Sequence, residues 1–171
     1  VSVRAPDALR PLATWPLPVA ALLLAAWLGA ALYFTVVVTR AAFAVLPSRT
    51  MAGALVGQTL PVLFDTGMVV GAVLVATALF ASSGAARTAS LVGGIAIVVL
   101  CALARFVILA RIAQLRLTLP AAIDSLAVTD PARRAFGQLH ALSVGALGLA
   151  MLMGIMVAVV LAHSLSVAAH D

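Results

Sequence analysis

An all-α, integral membrane four-helix bundle is the fold class this sequence predicts, and three observations predict it. Four apolar stretches, residues 17–39, 54–81, 89–110 and 137–165, take up most of the 171 residues. About 18 consecutive apolar residues suffice to cross the hydrocarbon core at ~1.5 Å rise per residue. Hydrophobic residues make up 65% of the chain and charged residues 9%, against roughly 25% charged in soluble domains. The breaks between the stretches carry Pro, Ser, Gly and Arg, the residues that end helices and sit at membrane boundaries. Short breaks make the spans antiparallel, up and down in turn.

Residues 1–16 form a polar arm with Pro6, Pro11 and Pro16, and Trp15 marks the first membrane boundary. The first stretch exceeds the roughly 7–15 residues of a signal-peptide core, so it reads as a true span. Residues 40–50 are the first connection. There Pro47 stops the first helix, and Ser48 or Thr50 can cap the second. The second helix carries Pro61, which removes a backbone donor and should kink it. Ser82-Ser83-Gly84 ends that helix, and Thr88 or Ser90 can cap the third. The connection over residues 111–136 is the longest. Residues 120–128 suit a short interfacial helix, and Asp130-Pro131 is an N-cap followed by proline at the first helical position. The spanning domain therefore covers residues 17–165, with a tail at 166–171.

The chain holds ten arginines, no lysine, and five acids that are all aspartate. No basic cluster is interleaved with aromatics, so the charge does not point to nucleic acid. Arg40, Arg49, Arg111, Arg116, Arg133 and Arg134 lie in loops 1 and 3; Arg4, Arg10 and Arg87 lie with the termini and loop 2. The positive-inside rule then places loops 1 and 3 in the cytoplasm and both termini outside, in a bacterial inner membrane.

Helix association in lipid relies on close packing of small residues. The stripe Ala146, Ala150, Gly154, Ala158, Ala162, the set Ala21, Ala25, Gly29, and the pairs Gly53, Gly57 and Gly67, Gly71 all suit it. They pack either within the bundle or against another subunit.

Asp65 and Arg105 lie inside the second and third stretches, which are antiparallel neighbours. A lone charge there costs roughly 2.5–3.5 kcal/mol on insertion scales, so the two are expected to pair. Gln58 shares a helical face with Asp65, and His140 and Ser143 share a face at the start of the fourth span. The five residues form an expected polar cluster, either a structural pair that fixes register or a proton or ion site. Met153, Met156 and Cys101 are candidates for a soft-metal path, or simply apolar fillers. His140 and His163 lie roughly 34 Å apart along one helix, so they cannot share one haem. Single-histidine ligation of haem or pigment by either stays open, but no cofactor is predicted. No nucleophile–base pair, glycine-rich phosphate loop or metal-spaced His/Cys set appears, so no enzyme is predicted.

Two segments carry a resemblance. The first runs from Ala26-Trp27-Leu28-Gly29 through Phe43, Leu46-Pro47 and Ala52-Gly53 to Leu60-Pro61-Val62-Leu63-Phe64; the second is Arg134 to Ser143, with Phe136, His140 and Ser143 in F-x-x-x-H-x-x-S spacing. They resemble the transmembrane-protein-205-like family, also called domain of unknown function 4149, over about residues 26–160. The resemblance implies a four-span membrane protein with a link to soft-metal handling, and it implies no reaction. Leu60 stands where the family often has phenylalanine. The resemblance reaches His140 but gives Asp65 no metal role.

The first expectation of function is a non-catalytic accessory subunit of a larger membrane complex, with the lipid bilayer and other subunits as partners. The alternatives are a small transporter or soft-metal-handling protein and a cofactor-binding subunit.

Overall fold

The computed structural model describes residues 16–80, 84–119 and 123–168. Among them are four helices long and apolar enough to cross a membrane: α1 (Leu17–Val45), α2 (Arg49–Phe80), α3 (Ala85–Thr118) and α4 (Pro131–Ala168). They form an all-α membrane bundle. α2 packs most extensively on α3 and α3 next on α4, while α1 lies against α2 and α4.

Each helix outruns its apolar stretch. Residues 40–45 continue α1 instead of forming a loop, and the chain turns only at Leu46, which is extended ahead of Pro47. A residue before proline is driven out of helical geometry by the proline ring. The Ser48 hydroxyl then accepts a hydrogen bond from the Met51 N–H at 3.2 Å, capping α2. α2 runs on through Pro61. α3 starts earlier than the apolar pattern, after Gly84, whose φ of 143° is open to glycine alone. Neither Thr88 nor Ser90 is its N-cap. Thr88 bonds back to the Gly84 carbonyl at 3.3 Å, and Ser90 is buried one turn inside with no hydrogen-bond partner among the described residues. Among its described residues the third connection holds a 3-10 turn, Ile123–Ser125, and no longer interfacial helix; residues 120–122 lie outside the described residues, as do residues 1–15, 81–83 and the last three of the tail. The Asp130 carboxylate accepts the Ala132 N–H at 2.8 Å, which caps α4.

Glycines set the closest helix approaches. A Cβ on Gly71 would lie 2.8 Å from the Gly94 carbonyl, and one on Gly94 would lie 2.8 Å from the Gly71 carbonyl. α2 and α3 therefore touch backbone to backbone there. A Cβ on Gly67 would meet Cys101 Sγ at 2.8 Å and the Trp27 ring at 2.9 Å, and Gly154 receives Leu28 at 3.0 Å. Ala150 is fully buried and Ala158 packs on the same core. Gly29, expected to pack, has nothing within 4 Å of its Cβ position. The buried face of α1 runs through Ala20, Leu24, Trp27, Ala31 and Phe34, and Gly29 follows Trp27 by two residues, about 200° around the helix. It faces outward.

Two π-helical turns interrupt the α geometry, Phe34–Val38 in α1 and Leu103–Ile108 in α3. Each adds a residue to a turn and re-aims the side chains that follow.

Candidate functional site: a basic chamber at one end of the bundle

The glycine contacts of Gly67, Gly71, Gly93, Gly94 and Gly154 all lie toward the termini. At the other end, where loops 1 and 3 lie, the helices enclose a cavity of about 840 Å³. Its walls are apolar, from Phe43, Val56, Leu60, Pro61, Leu109 and Ile112, and Arg49, Arg105, Arg116, His140 and Ser143 reach it. A volume of this size falls within the roughly 300–1,000 Å³ typical of small-molecule sites.

Arg105 stands within the π turn of α3, and its Nε donates to the Asp65 carboxylate at 3.0 Å. This is the one ion pair among the described residues. It lies about 24 Å along α2 from Arg49, near the helix middle. The side chains keep 35% (Arg105) and 48% (Asp65) exposure, so the pair sits at the edge of the bundle and not in its core. Arg105 also lies over the Phe106 ring, 5.6 Å from its centre.

Arg116 is held on two sides. Its guanidinium lies 5.4 Å from the centre of the Phe136 ring. Its nitrogens also lie 3.9 and 3.4 Å from the Cβ positions of Gly53 and Gly57. These two glycines thus make room for an arginine rather than for a helix. Pro61 has no N–H for the Gly57 carbonyl, which leaves that carbonyl without its usual helical partner beside Arg116. The Phe136 ring stacks on the His140 ring, 6.1 Å between centres and 7° between planes. Ser143 is buried, and its hydroxyl donates to the His140 carbonyl at 2.8 Å.

The expected polar cluster is therefore assembled only in part. Arg105, His140 and Ser143 reach the chamber, and Asp65 is tied to it through Arg105. Gln58 does not join: it is exposed and outside the lining, because the chamber-facing side of α2 runs through Gly53, Val56, Gly57 and Leu60. Arg49 and Arg116 carry more of the chamber's charge than the sequence pattern suggested, where they served only to set topology. No carboxylate pairs with either among the described residues.

The soft-metal set does not converge. Cys101 is buried against Gly67 and Trp27. Met153 packs beside Gly93, about 12 Å along α3 from Cys101, and Met156 is 62% exposed. The described residues contain no group of three or more His, Cys, Asp or Glu side chains placed to hold a metal. His163 is exposed near the far end of α4.

The two segments of the family resemblance meet in this chamber: Phe43, Leu60 and Pro61 from one, Phe136, His140 and Ser143 from the other. Trp27, from the first, donates its indole N–H to the Leu63 carbonyl at 3.0 Å and joins α1 to α2. Residues 22–119, more than half of the chain, match the family model described as domain of unknown function DUF4149. The chain belongs to that family. No curated protein and no solved structure matches it. This DUF4149 protein is thus a four-helix membrane protein with a basic chamber at one end.

Proposed function

We propose that this DUF4149 protein is a non-catalytic membrane protein that binds and passes a small molecule through the chamber at the loop-1 and loop-3 end. The chamber itself supports the reading. A subunit that only packs against neighbours has no use for an open cavity lined by three arginines and a stacked Phe136–His140 pair. By the arginine distribution the chamber faces the cytoplasm of a bacterial inner membrane.

The accessory-subunit reading rests on two other observations, the outward Gly29 and the half-exposed Asp65–Arg105 pair at mid-helix. Its earlier support, the small-residue stripes, is mostly consumed by contacts within the bundle. Extraction in mild detergent followed by native mass spectrometry separates the two. A single chain or homo-oligomer with excess small-molecule mass is expected. A stable assembly with different chains and no small molecule would instead establish the accessory role.

A further inference from the structure

We propose that the chamber's ligand is a phosphate-bearing amphiphile, its acidic headgroup on Arg49 and Arg116 and its apolar part along the walls below. This rests on the chamber being a ligand site, as proposed above.

Charge argues for an anion. Of the three arginines in the lining, Arg105 is neutralised by Asp65, while Arg49 and Arg116 have no carboxylate among the described residues. The geometry of Arg116 favours a planar or tetrahedral oxyanion. Its guanidinium is flanked by the Phe136 ring and the Gly53–Gly57 surface, so side-chain freedom is already reduced. A fixed guanidinium fork offers two parallel N–H donors to phosphate oxygens. The walls argue against a small hydrated ion. Below the arginines Val56, Leu60, Leu109 and Ile112 make an apolar wall beside the polar side chains of Arg105, His140 and Ser143, and that wall offers nothing to replace water around a bare anion. An acyl chain suits that surface.

Depth agrees. α2 has 32 residues and α3 has 34, so each is roughly 50 Å long against a ~30 Å hydrocarbon core. Arg49 opens α2 and Arg116 lies in the last turn of α3, which puts both near headgroup level while the apolar walls lie deeper.

The test uses the full chain, delipidated in a neutral detergent, with short-chain phosphatidic acid, phosphatidylcholine of the same chain length, and inorganic phosphate as probes. Native mass spectrometry reads binding and buried Trp27 emission reads folding. Phosphatidic acid is expected to bind one to one and to outcompete phosphatidylcholine. Arg116→Ala is expected to weaken it about tenfold or more, the scale of a lost charge-assisted hydrogen bond. Gly57→Val keeps the charge but adds bulk where even a Cβ lies 3.4 Å from Arg116, and it should weaken binding in the same direction. It decides the question if Arg116→Ala does not fold. Equal binding of phosphatidylcholine, equal binding of inorganic phosphate alone, or no effect of the folded variant would each overturn the assignment. A different class of small molecule that is lost on Arg116→Ala would overturn the amphiphile but leave the chamber reading standing. No small-molecule adduct of any kind would overturn both.

Discussion

Asp65 and Arg105 meet where the solvent is lipid, and their partial exposure sets how each responds to substitution. Removing one partner leaves a lone charge at mid-helix, on the order of 2–3 kcal/mol on insertion scales. Removing both leaves an apolar edge that lipid tolerates. Asp65→Leu alone is therefore expected to lower the thermal midpoint in detergent, and the Asp65→Leu/Arg105→Leu pair to recover most of the loss. If the double variant is as unstable as the single one, the pair does more than neutralise itself. Gly67 gives a second prediction at this scale. A valine there would collide with Cys101 and the Trp27 ring, close to the Trp27–Leu63 hydrogen bond. Overpacking of this kind costs about 1–3 kcal/mol, so Gly67→Val should lower the midpoint and shift Trp27 emission. An unchanged spectrum would show that the indole contact is not needed to dock α1.

Helix pairs add a distinction that single residues do not show. A Cβ on Gly93 would collide with Val157 Cγ2, at the α3–α4 contact. The obstacle is a side-chain methyl, so Gly93→Ala should be rescued by Val157→Ala. On Gly94 the nearest obstacle is the Gly71 carbonyl, at 2.8 Å. Trimming Val75, the nearest side chain, should therefore not rescue Gly94→Ala. Thermal midpoints of the singles and doubles test this, and rescue of Gly94→Ala would mean that α2 and α3 can separate freely. At this scale most of the fold was legible. The four apolar runs, the Pro47 turn and the Asp130-Pro131 start each act through local backbone chemistry. The Asp65–Arg105 pair was legible from the cost of a lone charge in lipid. The chamber was not. Its shape depends on the π turns at Phe34–Val38 and Leu103–Ile108, which shift the helical phase by a residue without any proline or glycine to announce them. Gly53 and Gly57 carried a signal, but small residues at spacing four read equally well as a helix contact or as space for the Arg116 guanidinium. Gln58 was misplaced because sharing a face with Asp65 does not make that face an inner one.

Across the whole molecule, tight and open ends divide the labour. The backbone contact of Gly71 with Gly94 and the leucine side chains packed on Gly154 close the bundle toward the termini, and the arginines gather where it opens. Which compartment the chamber faces then determines which leaflet or solution can fill it. The arginine bias predicts that loops 1 and 3 are cytoplasmic, and the cysteine content makes this simple to check. Cys101, the only native cysteine, is fully buried, so it contributes little background to labelling. Val128, in the third connection, is 73% exposed, and Val167, near the end of α4, is 50% exposed. A membrane-impermeant maleimide should label Val167→Cys in intact cells, and Val128→Cys only after permeabilisation. The reverse pattern would turn the chamber outward, and its ligand would then have to arrive from the outer leaflet. Labelling of both in intact cells would contradict an odd number of crossings between the two positions, and with it the reading of α4 as a span. The expected pattern places Arg49 and Arg116 against the inner leaflet, where anionic headgroups are available to a basic chamber.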